Sequence, residues 1–523
     1  MSEKGNIARA AGILGSATVL SRIMGMVRDM VVSRLFGAGL ATDAFFAAFQ
    51  IPNMLRRFFA EGALTSAFVP TFSSVLTQRG ERGARELSDT CFTLLTIVMS
   101  AVALAGIICS PWIVALMFPG FRDVPGKFEL TVLLNRLMFP YIFFISLVAL
   151  CMGILNTLRH FFTPAISTVF LNISMIVSAL FLRGFFDAPV TALAAGVLIG
   201  GCLQLVLQLP VLWQKGFLPR PCFAFSDPEV RKIALLMLPA TFGVGVYYLN
   251  IAVSAVLASL LPQGSVSYLY YAQRLFEFPQ GIFTVSVAQA VLPSMSRQAA
   301  EGDVSGMKES LSFGLRLTVF VTVPAMVGLM VCSTPVISLI FMGGQFDFHQ
   351  VLGASRALFA YSLGLTFVAL TRVIAPAFYA LNDTKTPVLT AFIAFLINVC
   401  CSLVLMKPLL HGGLALATTI SACANMVLLL WLLRRKAGPI GGRALARSAL
   451  VSLAASAPMA MVVYQGCLLV DWALPGEKLI KSLVLGTSIA AGVAVYGYCS
   501  RLLGSAECGE VFGMIRARLQ RRT

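Results

Sequence analysis

Charge is scarce in this sequence and acid is the scarcer sign, with 22 Asp and Glu against 39 Lys and Arg in 523 residues. Histidine occurs three times, at His160, His349 and His411, too far apart in sequence to suggest a metal or acid–base cluster. The twelve cysteines are scattered, mostly through apolar runs such as those of Cys109, Cys151, Cys202, Cys332, Cys400 and Cys401. There Cys behaves as a small hydrophobe, and no CxxC is matched by a second one, so neither a disulfide framework nor a zinc site is indicated. An enzyme would need paired carboxylates for a metal, or a nucleophile with its base. Asp383 instead stands beside Lys385, and Glu81 and Glu86 sit among Arg79, Arg82 and Arg85, so no catalytic constellation is expected. The start, Met1 to Gly5, leads into a segment interrupted by Arg22 and Arg28, which is not the pattern of a removable signal peptide.

What the chain has in abundance is apolar length. Hydrophobic residues make up 58% of it, and the mean hydropathy is +0.87, far from the soluble balance. Runs long enough to cross a bilayer, about 20 residues each, lie near 9–36, 42–77, 91–118, 131–157, 162–183, 189–214, 230–261, 266–296, 309–341, 352–381, 386–406, 412–434, 444–470 and 478–503. The expectation is an all-α polytopic membrane protein of about fourteen transmembrane helices.

The basic residues orient it. Arg79, Arg82 and Arg85; Arg159; Lys215, Arg220, Arg231 and Lys232; Arg297 and Lys308; Lys385; and Arg434, Arg435, Lys436 and Arg443 all follow even-numbered segments. The alternate connections are poor in them, with Arg122 and Lys127 balanced by Asp123 and Glu129. The basic loops therefore face the cytoplasm, and both termini lie inside. Much of the net charge of +17 is topological, and the tail with Arg516, Arg518, Arg521 and Arg522 is read as lying along anionic lipid, not nucleic acid.

The chain also repeats itself. Cys109-Ser110-Pro111-Trp112 to Phe118 returns as Cys332-Ser333-Thr334-Pro335 to Phe341, and Ala67 to Thr71 returns as Ala290 to Ser294, each 223 residues on. Phe139, Tyr141 and Leu147 to Leu150 match Phe359, Tyr361 and Phe367 to Leu370 at an offset of 220, and Ala192 to Ala194 match Ala415 to Ala417 at 223. Echoes in one order at nearly one offset indicate two six-helix repeats plus two C-terminal helices. An even number of helices per repeat makes the repeats parallel, the arrangement that encloses a central cavity and rocks about it. The expected divisions are 1–214 and 230–435 for the lobes, 215–229 for a cytoplasmic linker, 436–503 for the added helices and 504–523 for a basic cytoplasmic tail. Pro52, Pro70, Pro279, Pro293 and Pro376, with Gly25, Gly62 and Gly281, are expected to bend helices.

Against this apolar background, Arg22, Arg28, Asp43, Arg56, Arg57 and Glu61 stand inside the first two segments. An ionisable group at the bilayer centre costs about 2.5–3.5 kcal/mol even on lenient scales, so such groups face a watery cavity or one another. Arg outnumbers acid here, which leaves positive charge for an anion. Arg22 and Asp29 lie nearly on one helical face, with Arg28 about 120° away from Arg22, so one ion pair would leave the other Arg for a ligand. In the second half, Arg274 and Glu277 are three apart on a helix and close enough to neutralise each other.

Several motifs carry a resemblance. Ser-Arg-x-x-Gly-x-x-Arg-Asp at 21–29, Phe-Gly-Ala-Gly-x-Ala-Thr-Asp-Ala-Phe-Phe at 36–46, Pro-Asn-x-Leu-Arg-Arg-x-Phe-Ala-Glu-Gly-Ala at 52–63 and Tyr-Tyr-Ala-x-Arg-Leu-x-Glu-Phe-Pro at 270–279 resemble the MurJ (MviN) family of lipid II flippases. Leu-Asn-Ile-Ser at 171–174 and Asp-Thr-Lys-Thr-Pro at 383–387 also fit. The resemblance covers essentially the whole chain. It implies the MOP exporter fold and a role in peptidoglycan and cell wall biogenesis, and hence cell shape, at the bacterial inner membrane. It also implies lipid II as cargo, membrane lipids as surroundings and the cell-wall synthesis machinery as a partner. In that family the residues matching Arg22, Arg28, Arg56 and Arg274 line the cavity, Asp43 is functional and Glu61 is a cavity acid. Asp29, Asn53 and Glu277 are further candidates beside them.

The cargo gives the arginines a task. Lipid II carries its disaccharide-pentapeptide on a polyprenyl pyrophosphate, and guanidinium forks match phosphate oxygens. No cofactor or metal is expected, and neither a coupling ion nor a role for the membrane potential is assigned: Gln273 stands where some members have an acid, and Ile233 to Leu261 contains none. The alternative is a related exporter of another polyprenyl-linked oligosaccharide. A cationic-drug exporter would favour cavity acids.

Overall fold

The computed structural model describes residues 3–56, 64–243, 245–281, 285–510 and 513. Arg57, Glu61, Gly62 and the tail arginines lie outside the described residues. Among those described, the regular elements are helical, and a single β-bridge between Gly343 and Phe346 closes a tight turn.

Packing divides the chain after Gly264 into two units. The first holds α1 (Glu3–Phe36), α2 (Leu40–Arg56), α3 (Thr65–Met117), α4 (Lys127–Met138), α5 (Tyr141–Thr157), α6 (Phe162–Phe181), α7 (Thr191–Val206), α8 (Leu209–Gln214), α9 (Pro228–Gly243) and α10 (Gly245–Ser259). The second holds α11 (Ser265–Pro279), α12 (Val285–Ala300), α13 (Val304–Val331), α14 (Ser333–Phe341), α15 (Phe348–Ser362), α16 (Leu365–Ala380), α17 (Lys385–Ala437), α18 (Gly442–Cys467) and α19 (Lys478–Leu502). The break falls later than the 215–229 linker because α9 and α10 pack with the first unit, α9 on α3 and α10 on the 3-10 turn Pro119–Asp123. The linker itself is strapped to α3, where Arg220 N donates to Asp89 (3.0 Å), Cys222 N to Thr93 (3.0 Å) and Arg79 pairs with Asp227 (3.5 Å).

Two helices of 53 residues, α3 and α17, would each run about 80 Å if straight, far more than a hydrocarbon core of about 30 Å. Neither is continuous: the backbone leaves the helical region at Gly80 (φ 67°, ψ −170°) and at Leu410 (φ 51°, ψ −132°). Glycine adopts that positive φ without a Cβ penalty, whereas Leu410 does so at a cost. Each thus contributes two apolar segments, as the sequence divides them.

Among the described residues, eight helices are long and apolar enough to cross a membrane, nine if the pair α15–α16, bent by 41°, counts as one span. Several of the fourteen apolar runs hold two shorter helices, such as α9 with α10 and α11 with α12. Pro52, Pro70, Pro279, Pro293 and Pro376 lie inside helices as expected.

Close packing comes from small residues. A Cβ at Gly196 or Gly200 of α7 would press on the backbone of Met175 or Leu171 in α6, and one at Gly201 on the Tyr141 ring. Stripes of this kind let helix backbones approach where lipid supplies no hydrophobic drive between helices. Phe72 stacks on Phe68 and meets Phe217 edge-on in the first unit's core, which runs on to Leu212 and Ile233. A second core joins Met295, Leu311, Val373 and Leu433 across α12, α13, α16 and α17. Elsewhere Trp112, Leu116, Phe181 and Leu479 stand well exposed, a surface suited to lipid.

Candidate functional site

In α1 the ion pair that sequence geometry left open is made by adjacent residues. Arg28 Nη2 lies 2.7 Å from Asp29 Oδ1, and Nε donates to the same oxygen at 3.0 Å. The third side of the fork is also engaged: Nη1 donates to Asn172 Oδ1 on α6 at 3.0 Å, and Asn172 Nδ2 donates back to the Ser21 carbonyl at 3.4 Å. All of this is buried, Arg28 at 5% exposure and Asp29 at 2%. A buried charge persists when paired and hydrogen-bonded, so this knot clamps α1 to α6 and neutralises itself. Arg22 is exposed and makes no hydrogen bond or ion pair among the described residues.

In α2, Asp43 is one of the most buried residues of the chain and accepts from two donors, Lys127 Nζ at 2.8 Å and Gly264 N at 2.7 Å. Lys127 is buried as well, its ammonium 4.1 Å from the centre of the Phe121 ring. Asp43 thereby joins α2 to the start of α4 and to the turn after α10. At the far end of α2, Arg56 is half-buried, and its Nε donates to Asn53 Oδ1 one turn back, at 3.1 Å.

In the second unit, Arg274 is half-buried on α11. Its Nη2 donates to Tyr270 Oη at 3.2 Å, and its guanidinium carbon lies 5.3 Å from the Tyr270 ring centre. Glu277 is at 4.0 Å, too long for a strong pair, and also accepts from Gln273 at 3.1 Å. The structure therefore brings Arg28 together with Asp29 and Arg56 with Asn53, and sets Glu277 at the margin of Arg274. It places Asp43 in a separate buried pair, and Glu61 lies outside the described residues.

Two partners escaped the sequence reading. Lys127 resembles a loop charge balanced by its neighbours, yet it is buried; its signal was an acid, Asp43, in an apolar helix without a local cation. Asn172 stood in a recognised motif, and the signal for its role was a buried amide able to accept from an arginine. Among the described residues no His, Cys, Asp and Glu cluster could hold a metal ion.

The sequence matches the family described as "Lipid II flippase MurJ" over residues 32–481. The chain belongs to this family. A "Probable lipid II flippase MurJ" of Vibrio cholerae is 42% identical over 427 residues, covering 80% of this chain and 81% of the relative. A "Lipid II flippase MurJ" of Burkholderia cenocepacia is 38% identical over 435 residues, covering 82% and 84%. Among solved structures, "Lipid II flippase MurJ, inward closed conformation" superposes with a TM-score of 0.75 at 27% identity, over 94% of this chain and 98% of that one. An inward-facing multidrug resistance MATE family transporter of the MOP superfamily shares the fold, with a TM-score of 0.65 at 14% identity over 83% of this chain and 99% of that one. Family membership places the chain among multi-pass membrane transporters of bacteria, not among enzymes.

Proposed function

We propose that this protein moves lipid II from the cytoplasmic to the periplasmic leaflet of the bacterial inner membrane by alternating access. The observation that carries the reading is the family match over residues 32–481. The arginines supply its chemistry. Unaided, the pyrophosphate head group would lose its water in hydrocarbon at prohibitive cost. Arg22 and Arg56 in the first unit and Arg274 in the second offer planar donor forks that replace that water while remaining charged.

The arginines divide the work. Arg28 has committed its donors to Asp29 and Asn172, so its part is to hold α1 in place. Arg22, exposed seven residues before Asp29, takes the head group. Arg56, aimed by Asn53 in the first unit, and Arg274, aimed by Tyr270 in the second, are further phosphate-binding candidates, each within its own unit. Asp43 acts through position, fixing α2 against α4. Both termini lie in the cytoplasm, and the cell-wall synthesis machinery on the opposite side consumes the product.

The test is binding of lipid II to the purified protein in lipid nanodiscs, measured against a polyprenyl-pyrophosphate oligosaccharide with a different head group. Preference for lipid II supports the reading. Equal or weaker binding of lipid II favours the exporter of another polyprenyl-linked sugar.

A further inference from the structure

Helix α17 breaks midway, and the break is pinned to two other helices of the second unit. Leu410 turns the chain at φ 51°, a conformation that costs a residue with a Cβ and is kept only where the surroundings hold it. The return is tight: a Cβ at Gly413 would run into the Leu405 carbonyl. Between them His411 is buried at 7% exposure, its Nε2 2.8 Å from the Gly353 carbonyl of α15. Its ring packs on Tyr268 of α11, with centres 5.1 Å apart. Tyr268 in turn lies so close over Gly353 that a Cβ there would meet its ring. One imidazole thus joins three helices at a strained break, and α11 is the helix that carries Arg274.

We propose that His411 is a positioning residue for transport: its neutral imidazole locks the break of α17 to α11 and α15, and protonation opens the lock. This rests on the transport reading and the topology proposed above, in which 407–411 connects an odd-numbered segment to the next on the periplasmic side. A carbonyl only accepts, so Nε2 carries the proton and Nδ1 is the atom that titrates. Histidine is the side chain whose ordinary range falls between pH 5 and 8.

The protonated ring would be a buried charge without a counter-ion, which is costly. Among the described residues no carboxylate stands within ion-pair distance of His411. On α15, Arg356 lies one turn beyond Gly353 and exposed His349 one turn before it, while Asp347 is engaged as the helix cap, accepting from Gln350 N at 2.9 Å. On α17 the nearest charge in sequence is Lys407, and on α11 the titratable group against the ring is Tyr268. Cations therefore outnumber acids around the site. The imidazolium leaves it for water, Leu410 loses the contact that holds its backbone, and α11 loses its support six residues before Arg274. Transport falls as the outside turns acid.

The test compares the full-length wild type with His411→Gln and His411→Asn, whose amides donate to the same carbonyl and do not titrate, at pH 7.5 and 5.5. In detergent, the unfolding temperature of the wild type is expected to fall between the two values by about 2 °C or more beyond the fall in the variants. In cells, exposure of lipid II to an added head-group-cleaving enzyme is read as the ratio of wild type to variant, which cancels the enzyme's own pH dependence. That ratio is expected to fall about twofold or more at the acid value. Equal responses in unfolding overturn the lock, and equal responses in transport overturn its positioning role. A wild type that exposes no lipid II at pH 7.5 overturns the cargo reading instead, and the unfolding comparison, which needs no cargo, still decides the lock.

Discussion

Lys127 Nζ lies 2.8 Å from Asp43 Oδ2, with both side chains almost wholly shielded. The pair links residues on α2 and α4 that share no motif, and Gly264 N donates to the same carboxylate oxygen. Removing one partner of such a pair leaves a buried charge uncompensated, at a cost of about 3–5 kcal/mol. Lys127→Met is therefore expected to lower the unfolding temperature in detergent markedly, and Asp43→Asn combined with Lys127→Met to recover part of the loss. Thermal unfolding followed by size-exclusion chromatography measures both.

Arg28 and Arg22 are expected to separate stability from transport. Arg28→Ala breaks charge-assisted hydrogen bonds worth about 1.5–3 kcal/mol each and strands buried Asp29, so it lowers thermal stability. Arg22→Ala touches an exposed side chain and is expected to change stability by no more than about 0.5 kcal/mol. Unfolding of the two purified variants under one condition decides it.

Gly120 sits where a side chain has no room. A Cβ there would run into the carbonyl of Ser259 at the end of α10, and Gly120 N donates to Ser259 Oγ at 3.3 Å. Because the obstacle is backbone, Gly120→Ala is expected to cost at least about 1–3 kcal/mol, seen as a lower unfolding temperature. Gly184→Ala, with open space around it, serves as the control.

Asp383, in the turn before α17, carries a pH prediction. Its contacts with Lys436 Nζ at 2.7 Å and with Thr386 hold its carboxyl well below the usual carboxylate range. A depressed folded value contributes stability above the unfolded value, about 3.9, and that contribution is lost as pH falls through the folded value. Between pH 5 and 8 the group stays ionised in both states. Asp383→Asn is thus expected to cost the same small amount at pH 5 and at pH 8, at most about 1 kcal/mol for a surface pair, as thermal unfolding at the two values would show.

The helical class was legible because runs of apolar residues 20 or more long have few other solutions. The breaks at Gly80 and Leu410 divide α3 and α17 where basic or polar residues interrupt the hydropathy. Less legible was anything set by approach in space. Asp29 falls on the face of Arg22 by helical phase, yet Arg28 reaches it because a long guanidinium side chain can fold along its own helix, and Asn172 fixes it there. Lys127 read as loop charge because no local pattern tells of an acid 84 residues earlier.

The central claim is that lipid II crosses the membrane with Arg22 as a ligand of its head group. Its most direct measurement is the fraction of lipid II cleaved by an externally added head-group-specific enzyme, in cells depleted of their own flippase and supplied with this protein. Wild type is expected to restore cleavage. Arg22→Ala, inserted and stable, is expected to lose about tenfold or more, as removal of a charged hydrogen bond worth about 1.5–3 kcal/mol requires. Full cleavage with Arg22→Ala would contradict the role of that arginine, and a stably inserted wild type that exposes no lipid II would contradict the transport itself.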